Sequence, residues 1–161
     1  MDPREIFEKY RSKTLQELLP IVGPDTKTDL LFVVVRHLML KPQSELSKAE
    51  RMIVAVDWLD TQVGADGFYG FFAYDLGSTP IIVEALESIG CPKTASIVAK
   101  AIAVLGPVDL TDPKALDQAV DRDGVCERLS EIDFLYYDEP EPIEDHLWAF
   151  IERSVDDIHL H

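Results

Sequence analysis

The sequence predicts an all-α fold, a single compact domain of about eight to ten helices. Three observations predict it. Apolar residues recur at three- and four-residue spacing along most of the 161-residue chain. Helix-starting pairs and boxes precede these runs: Asp2-Pro3, Ser47-Lys48-Ala49-Glu50, Cys91-Pro92 and Asp112-Pro113. Glycine then ends them, at Gly90 and at Gly106-Pro107.

Asp2 caps a first helix that Pro3 enters, with Ile6, Phe7 and Tyr10 on one face. A short helical piece from Thr14 is stopped by Pro20 and Gly23-Pro24. Asp25 or Thr26 caps the apolar run 30–40. Its Val33-Val34-Val35 core has strand character, but the run exceeds a strand's length and lies between helix caps, so helix is expected. The Ser47/Glu50 capping box opens a helix to about Val63, with Met52, Val56, Leu59 and Val63 inward. The glycine- and aromatic-rich stretch from Gly64 to Asp75 reads as a sharp corner. It feeds Phe68, Phe71 and Phe72, spaced i, i+3, i+4, into a core. Thr79-Pro80 and Cys91-Pro92 start the next two helices, which lie as a tight pair. A helix follows Asp112-Pro113. Another carries Val125, Leu129, Ile132 and Tyr136 on one face. After an acidic, proline-containing loop, a last helix is expected from Pro142 to about Leu160, carrying Ile143, Leu147, Phe150, Ile151, Val155 and Ile158 inward.

Charge is the main compositional signal. Thirty acidic residues face fifteen basic ones, a formal net charge of −15. From residue 109 onward there are 16 acidic against 4 basic residues, so most of the excess lies in the last third. Phosphates and anionic membrane surfaces would be repelled, which argues against direct nucleic-acid or membrane binding. No apolar run approaches the roughly eighteen residues of a membrane span. The N-terminus has no signal-peptide pattern, and two cysteines do not make a disulfide scaffold, so a reduced, cytoplasmic protein is expected.

Several anchors fall in the order of a known family. Gln62-Val63 is followed by Gly67-Phe68, the aromatic pair Phe71-Phe72, Gly77, and then Ala85-Leu86-Glu87-Ser88-Ile89-Gly90. Downstream, Leu129-Ser130-Glu131-Ile132-Asp133 leads to Tyr136 and a terminal helix. In this the chain resembles the bacterial DNA-mimic protein family, a domain otherwise of unknown function, over roughly residues 50–158. It departs from the family pattern at Gly64, Ala65, Asp66 and Tyr74. The resemblance implies an all-helical acidic protein that occupies the DNA-binding surface of a transcription factor.

The residues themselves offer a surface for that role. At about 100° per residue, Asp145, Glu152 and Asp156 fall on one stripe of the last helix, and Glu127, Glu131 and Asp138 on one stripe of the helix before it. Glu139 and Glu141 lie in the loop between, and Trp148 stands at the stripe's edge, either as a core-border residue or as an exposed anchor for a partner. Carboxylates fixed on rigid helices could replace backbone phosphates before the Lys and Arg of a DNA-binding protein.

No catalytic pattern appears. His37 reads as a packed histidine, His159 and His161 as a frayed end or as partners of the helix C-terminal dipole, and both cysteines as buried thiols. Glu144-Asp145-His146 lacks metal-ligand spacing, so no metal and no cofactor is implied. Asp57 and Asp60 are better read as solvated or capping than as paired catalytic carboxylates. The expected function is non-catalytic protein binding. The alternatives are an immunity-type inhibitor of a basic toxin or nuclease, and an enzyme with its site at the Gly64–Asp75 corner. A homodimer is left open.

Overall fold

The structure, a computed structural model, describes residues 1–138 and 141–161. Among them run nine α-helices and no strand: α1 (Pro3–Tyr10), α2 (Leu15–Leu18), α3 (Lys27–Met39), α4 (Lys48–Ala73), α5 (Ile82–Ile89), α6 (Pro92–Val104), α7 (Pro113–Val120), α8 (Val125–Asp138) and α9 (Ile143–Arg153). Single 3-10 turns occupy Leu19–Ile21, Gln43–Glu45 and Val155–Asp157. The all-α expectation holds, and the Val33-Val34-Val35 run is helical and buried. Two compact units divide the chain: Met1–Val54 with Leu147–His161, and Ala55–His146. Helices α4 and α9 supply residues to both.

In the first unit, the capping box at the start of α4 forms as the sequence requires. Ser47 Oγ accepts from the Glu50 N–H at 3.1 Å, and Glu50 Oε2 accepts from the Ser47 N–H at 3.0 Å. Glu50 does more than cap. It is fully buried, with the Lys41 ammonium at 2.8 and 2.9 Å and the His159 N–H at 2.7 Å. Burial pushes the carboxyl upward. The Lys41 ammonium and the His159 and Ser47 N–H groups outweigh it and hold Glu50 below the usual carboxylate range.

Those same bonds explain why the last helix is shorter than expected. It stops at Arg153, and the chain continues through a 3-10 turn into an extended segment. There, the His159 N–H and C=O are taken by Glu50 and Lys41, and the Asp157 C=O accepts from Ser47 Oγ at 2.7 Å. Asp156 and Asp157 would also have placed negative charge at a helix C-terminus, where the macrodipole opposes it. The terminal histidines are therefore tied down rather than frayed. The His161 ring stands edge-on to buried His37, with centroids 4.8 Å apart.

In the second unit the expected corner is a kink inside α4. Gly67 adopts φ 66°, ψ −168°, a conformation essentially confined to glycine, while the residues on either side stay helical. Beyond the kink Phe68, Phe71 and Phe72 are all fully buried, each contributing roughly 1.5–3 kcal/mol of burial. Helix α5 begins at Ile82, two residues later than Thr79-Pro80 suggests, because Asp75 captures the turn: its Oδ1 accepts from the Ser78 N–H at 2.9 Å and the Thr79 N–H at 3.3 Å. Gly90, at φ 94°, reverses the chain, and the Cys91 N–H bonds back to the Leu86 C=O at 2.8 Å, closing the tight α5–α6 pair. Cys91 is buried as expected, and burial, then the charge of Glu141, pushes its thiol up to about 11. Cys126 is exposed, correcting the expected buried thiol. It follows Val125, which takes the core-facing position at the start of α8.

Candidate functional site

Helix α8 is built around one buried face. Val125, Leu129 and Ile132 point to the core. At about 100° per residue, the opposite stripe holds Glu127, Glu131, Phe134 and Asp138, all within roughly 60° of one another. All four are exposed. The three carboxylates meet no Lys or Arg at ion-pair distance among the described residues.

Three side chains on the inner flanks of α8 hold the helix in place. Asp133 Oδ1 accepts from the Phe68 N–H at 2.8 Å and so caps the second arm of α4. An ideal Cβ at Gly67 would stand 2.7 Å from Asp133 Cγ, so glycine is required for this approach as well as for its backbone angles. Burial raises the Asp133 carboxyl, and the Phe68 N–H works against that rise. The Tyr136 hydroxyl donates to Asp60 Oδ1 at 2.9 Å, and its ring meets the Phe68 ring edge-on at 5.8 Å. Burial, followed by the Asp60 charge, raises the Tyr136 phenol well above the ordinary tyrosine value. The Tyr137 hydroxyl donates to the Val63 C=O at 2.6 Å. The outward stripe thus stands on a helix fixed by one carboxylate and two phenols.

Charge is strongly segregated. The unit 55–146 holds 19 acidic and 5 basic residues, a formal −14, whereas the other unit holds 11 and 10, a formal −1. At the foot of α8 a shallow depression of about 410 Å³ is lined by Tyr69, Asp121, Asp123, Cys126 and Glu127, among others.

The sequence-predicted residues separate into distinct groups. Glu127, Glu131 and Asp138 form the exposed stripe described above. Asp145 is exposed on α9 within the same acidic unit. Glu152 and Asp156 are exposed but belong to the other unit, and Asp156 lies on the 3-10 turn after α9, so the three-residue stripe on the last helix does not form. Glu141 is half-buried and serves the fold: its Oε1 accepts from the Thr94 N–H and, at 2.8 Å, from the Thr94 hydroxyl, capping α6. Trp148 is 5% exposed, and its indole N–H donates to the Lys27 C=O at 3.1 Å. It is a packed residue, not an exposed anchor. Glu139 lies outside the described residues.

The carboxylates considered for chemistry behave differently from the stripe. Asp57 is half-buried, and burial, then the neighbouring Asp60, pushes its carboxyl up to about 6. Asp75 is buried as a turn cap, while Asp66 is exposed. Among the described residues no three His, Cys, Asp or Glu side chains gather as a metal site, and no helix is long and apolar enough to cross a membrane.

A family model described as DMP19-like protein matches residues 44–154. The chain belongs to the DMP19-like protein family. No curated protein and no solved structure matches it. The DMP19-like region runs from just before α4 to the end of α9. It includes both halves of the Gly67–Asp133 cap, so the two sequence segments that carried the resemblance meet in space.

Two features of this surface are not evident from local sequence. In the sequence Asp133 stands only as part of a motif, because a cap supplied from 65 residues away leaves no local signature. Phe134 does leave a signal, since its spacing of seven residues from Glu127 places it on the polar stripe.

Proposed function

We propose that this DMP19-like protein is a non-catalytic acidic binding protein that occupies the DNA-binding surface of a transcription factor or another DNA-binding protein, in the manner of a DNA mimic. The observation that carries the reading is the α8 stripe: three exposed carboxylates, unpaired among the described residues, on the side of the helix opposite its buried face. Their separations of four and seven residues correspond to rises of about 6 and 10 Å. A single helix reaches only about a fifth of a duplex's linear charge, so the −14 of its unit supplies the wider field. Such a field steers a cationic partner and fades as salt rises.

The test is capture from a native lysate on the immobilised protein, with elution by a salt step and competition by duplex DNA. A basic DNA-binding protein should be recovered by the wild type, displaced by duplex, and lost with the variant E127Q/E131Q/D138N. Capture that ignores both the duplex and the variant would rule out this surface as the binding site.

A further inference from the structure

We infer that Phe134 is the contact anchor of the α8 surface, built to receive an arginine of a basic protein partner between Glu131 and Asp138. This rests on the acidic-surface reading above and specifies how that surface recognises its partner. Phe134 is 69% exposed, the most exposed large apolar side chain in the unit 55–146. Tyr137, three residues on and 50% exposed, is its neighbour on the helix surface, so α8 presents a small aromatic platform rather than one stray ring. A lone exposed phenylalanine would need no explanation, but a cluster rimmed by charge marks an interaction surface.

The helix that carries the platform is fixed before any partner arrives. The Tyr137 hydroxyl is bonded to the Val63 C=O, Tyr136 packs edge-on against Tyr137 at 6.1 Å, and Asp133 anchors the same turn. The backbone beneath it therefore has little ordering entropy left to lose on contact. Glu131 precedes Phe134 by three residues and Asp138 follows it by four, the two spacings that make neighbours on a helix surface. An aromatic face between two carboxylates complements a guanidinium, which stacks on the ring while its N–H fork engages an acid. An ammonium can make the charge contact but not the stacked planar one. A second copy of the chain fits poorly, because pairing two such patches would bring four carboxylates together.

The test uses the full chain and two synthetic alanine-based helical peptides, identical except that one bears arginines and the other lysines at i, i+4 positions. Affinity is followed by fluorescence anisotropy at one fixed low ionic strength, and the contact is mapped by amide shifts. Wild type should prefer the arginine peptide, with shifts centred on α8. Phe134→Ala should weaken arginine-peptide binding roughly five-fold, the scale of an exposed cation–π contact, and abolish the preference over lysine. Phe134→Leu, which keeps apolar bulk without the ring face, should lose the preference as well. E131Q/D138N should weaken both peptides. Equal binding of both peptides that depends on Glu131 and Asp138 but not on Phe134 would overturn the anchor and leave the acidic surface standing. Binding of neither peptide would overturn both. A concentration-dependent dimer in sedimentation, lost in Phe134→Ala, would assign the patch to self-association instead.

Discussion

Replacing Gly67 by alanine tests the physical link on which the α8 surface depends. The backbone at φ 66°, ψ −168° lies in a region that costs a non-glycine residue about 1–3 kcal/mol. The new Cβ would fall on the Asp133 carboxylate, 2.7 Å from its Cγ, so that group must leave. Its departure strips the acceptor from the Phe68 N–H, and an unsatisfied donor there adds about 1–3 kcal/mol. Together these predict a loss of about 4 kcal/mol, or a melting temperature lower by roughly 8–16 °C for a chain of this size. Urea unfolding followed by circular dichroism would measure it. Asp133→Ala alone should cost only about 1–2 kcal/mol, the value of a lost cap. In the double variant the collision is gone and only the backbone strain and the lost cap remain, so its cost should fall short of the sum of the singles by 1 kcal/mol or more. A Gly67→Ala cost below about 1 kcal/mol, or additivity within about 0.5 kcal/mol, would refute the reasoning.

Two carboxylates on α4 should respond to pH in opposite senses. Asp57 is raised from 3.8 to about 6 by burial and by Asp60, so its ionisation opposes folding. Its contribution is greatest below the unfolded value and is lost as pH rises through about 6. Asp57→Asn should therefore stabilise the protein by about 2–3 kcal/mol at neutral pH, with the gain gone near pH 4. Urea midpoints at the two pH values check this, and a pH-independent gain would contradict it. Glu50 is depressed, so its stabilisation is present at neutral pH and is lost as acid takes pH down through its folded value. Glu50→Gln leaves the part-buried Lys41 ammonium half-satisfied beside a buried side chain and should cost about 3 kcal/mol at neutral pH. The gap from wild type should close in acid, and amide exchange at His159 should quicken.

What was legible in the sequence was local. Capping boxes, Asp-Pro starts and glycine stops act within a few residues, and the Ser47/Glu50 box and the Gly90 reversal appear where the sequence places them. Helical phase also survived on α8, because Val125, Leu129 and Ile132 fix which side faces outward. What could not be read were long-range competitors for backbone groups. The last helix has apolar residues at Val155 and Ile158 to continue, yet Glu50 and Lys41, more than a hundred residues away, take the His159 backbone into an extended segment. Trp148 shows the same limit, since the Lys27 carbonyl that satisfies its indole is 121 positions distant. Helical phase alone could not choose between border and anchor.

The strongest alternative to a binding role is that the acids of the unit 55–146 serve its fold, and the hydrogen bonds separate the two. Asp60, Asp75, Asp109, Asp112, Asp121, Asp133 and Glu141 each accept bonds from a backbone N–H, a hydroxyl or a phenol in that unit. Those carboxylates are explained without any partner. Glu127, Glu131 and Asp138 accept no such bond among the described residues, and the first two are like charges four apart on one helix, an arrangement that costs a few tenths of a kcal/mol. Acids retained by the fold would be missed when neutralised. E127Q/E131Q/D138N should instead leave thermal stability unchanged or slightly higher, while abolishing salt-sensitive capture. If the variant were destabilised by more than about 1 kcal/mol, the stripe would be structural and its binding role would lose its support.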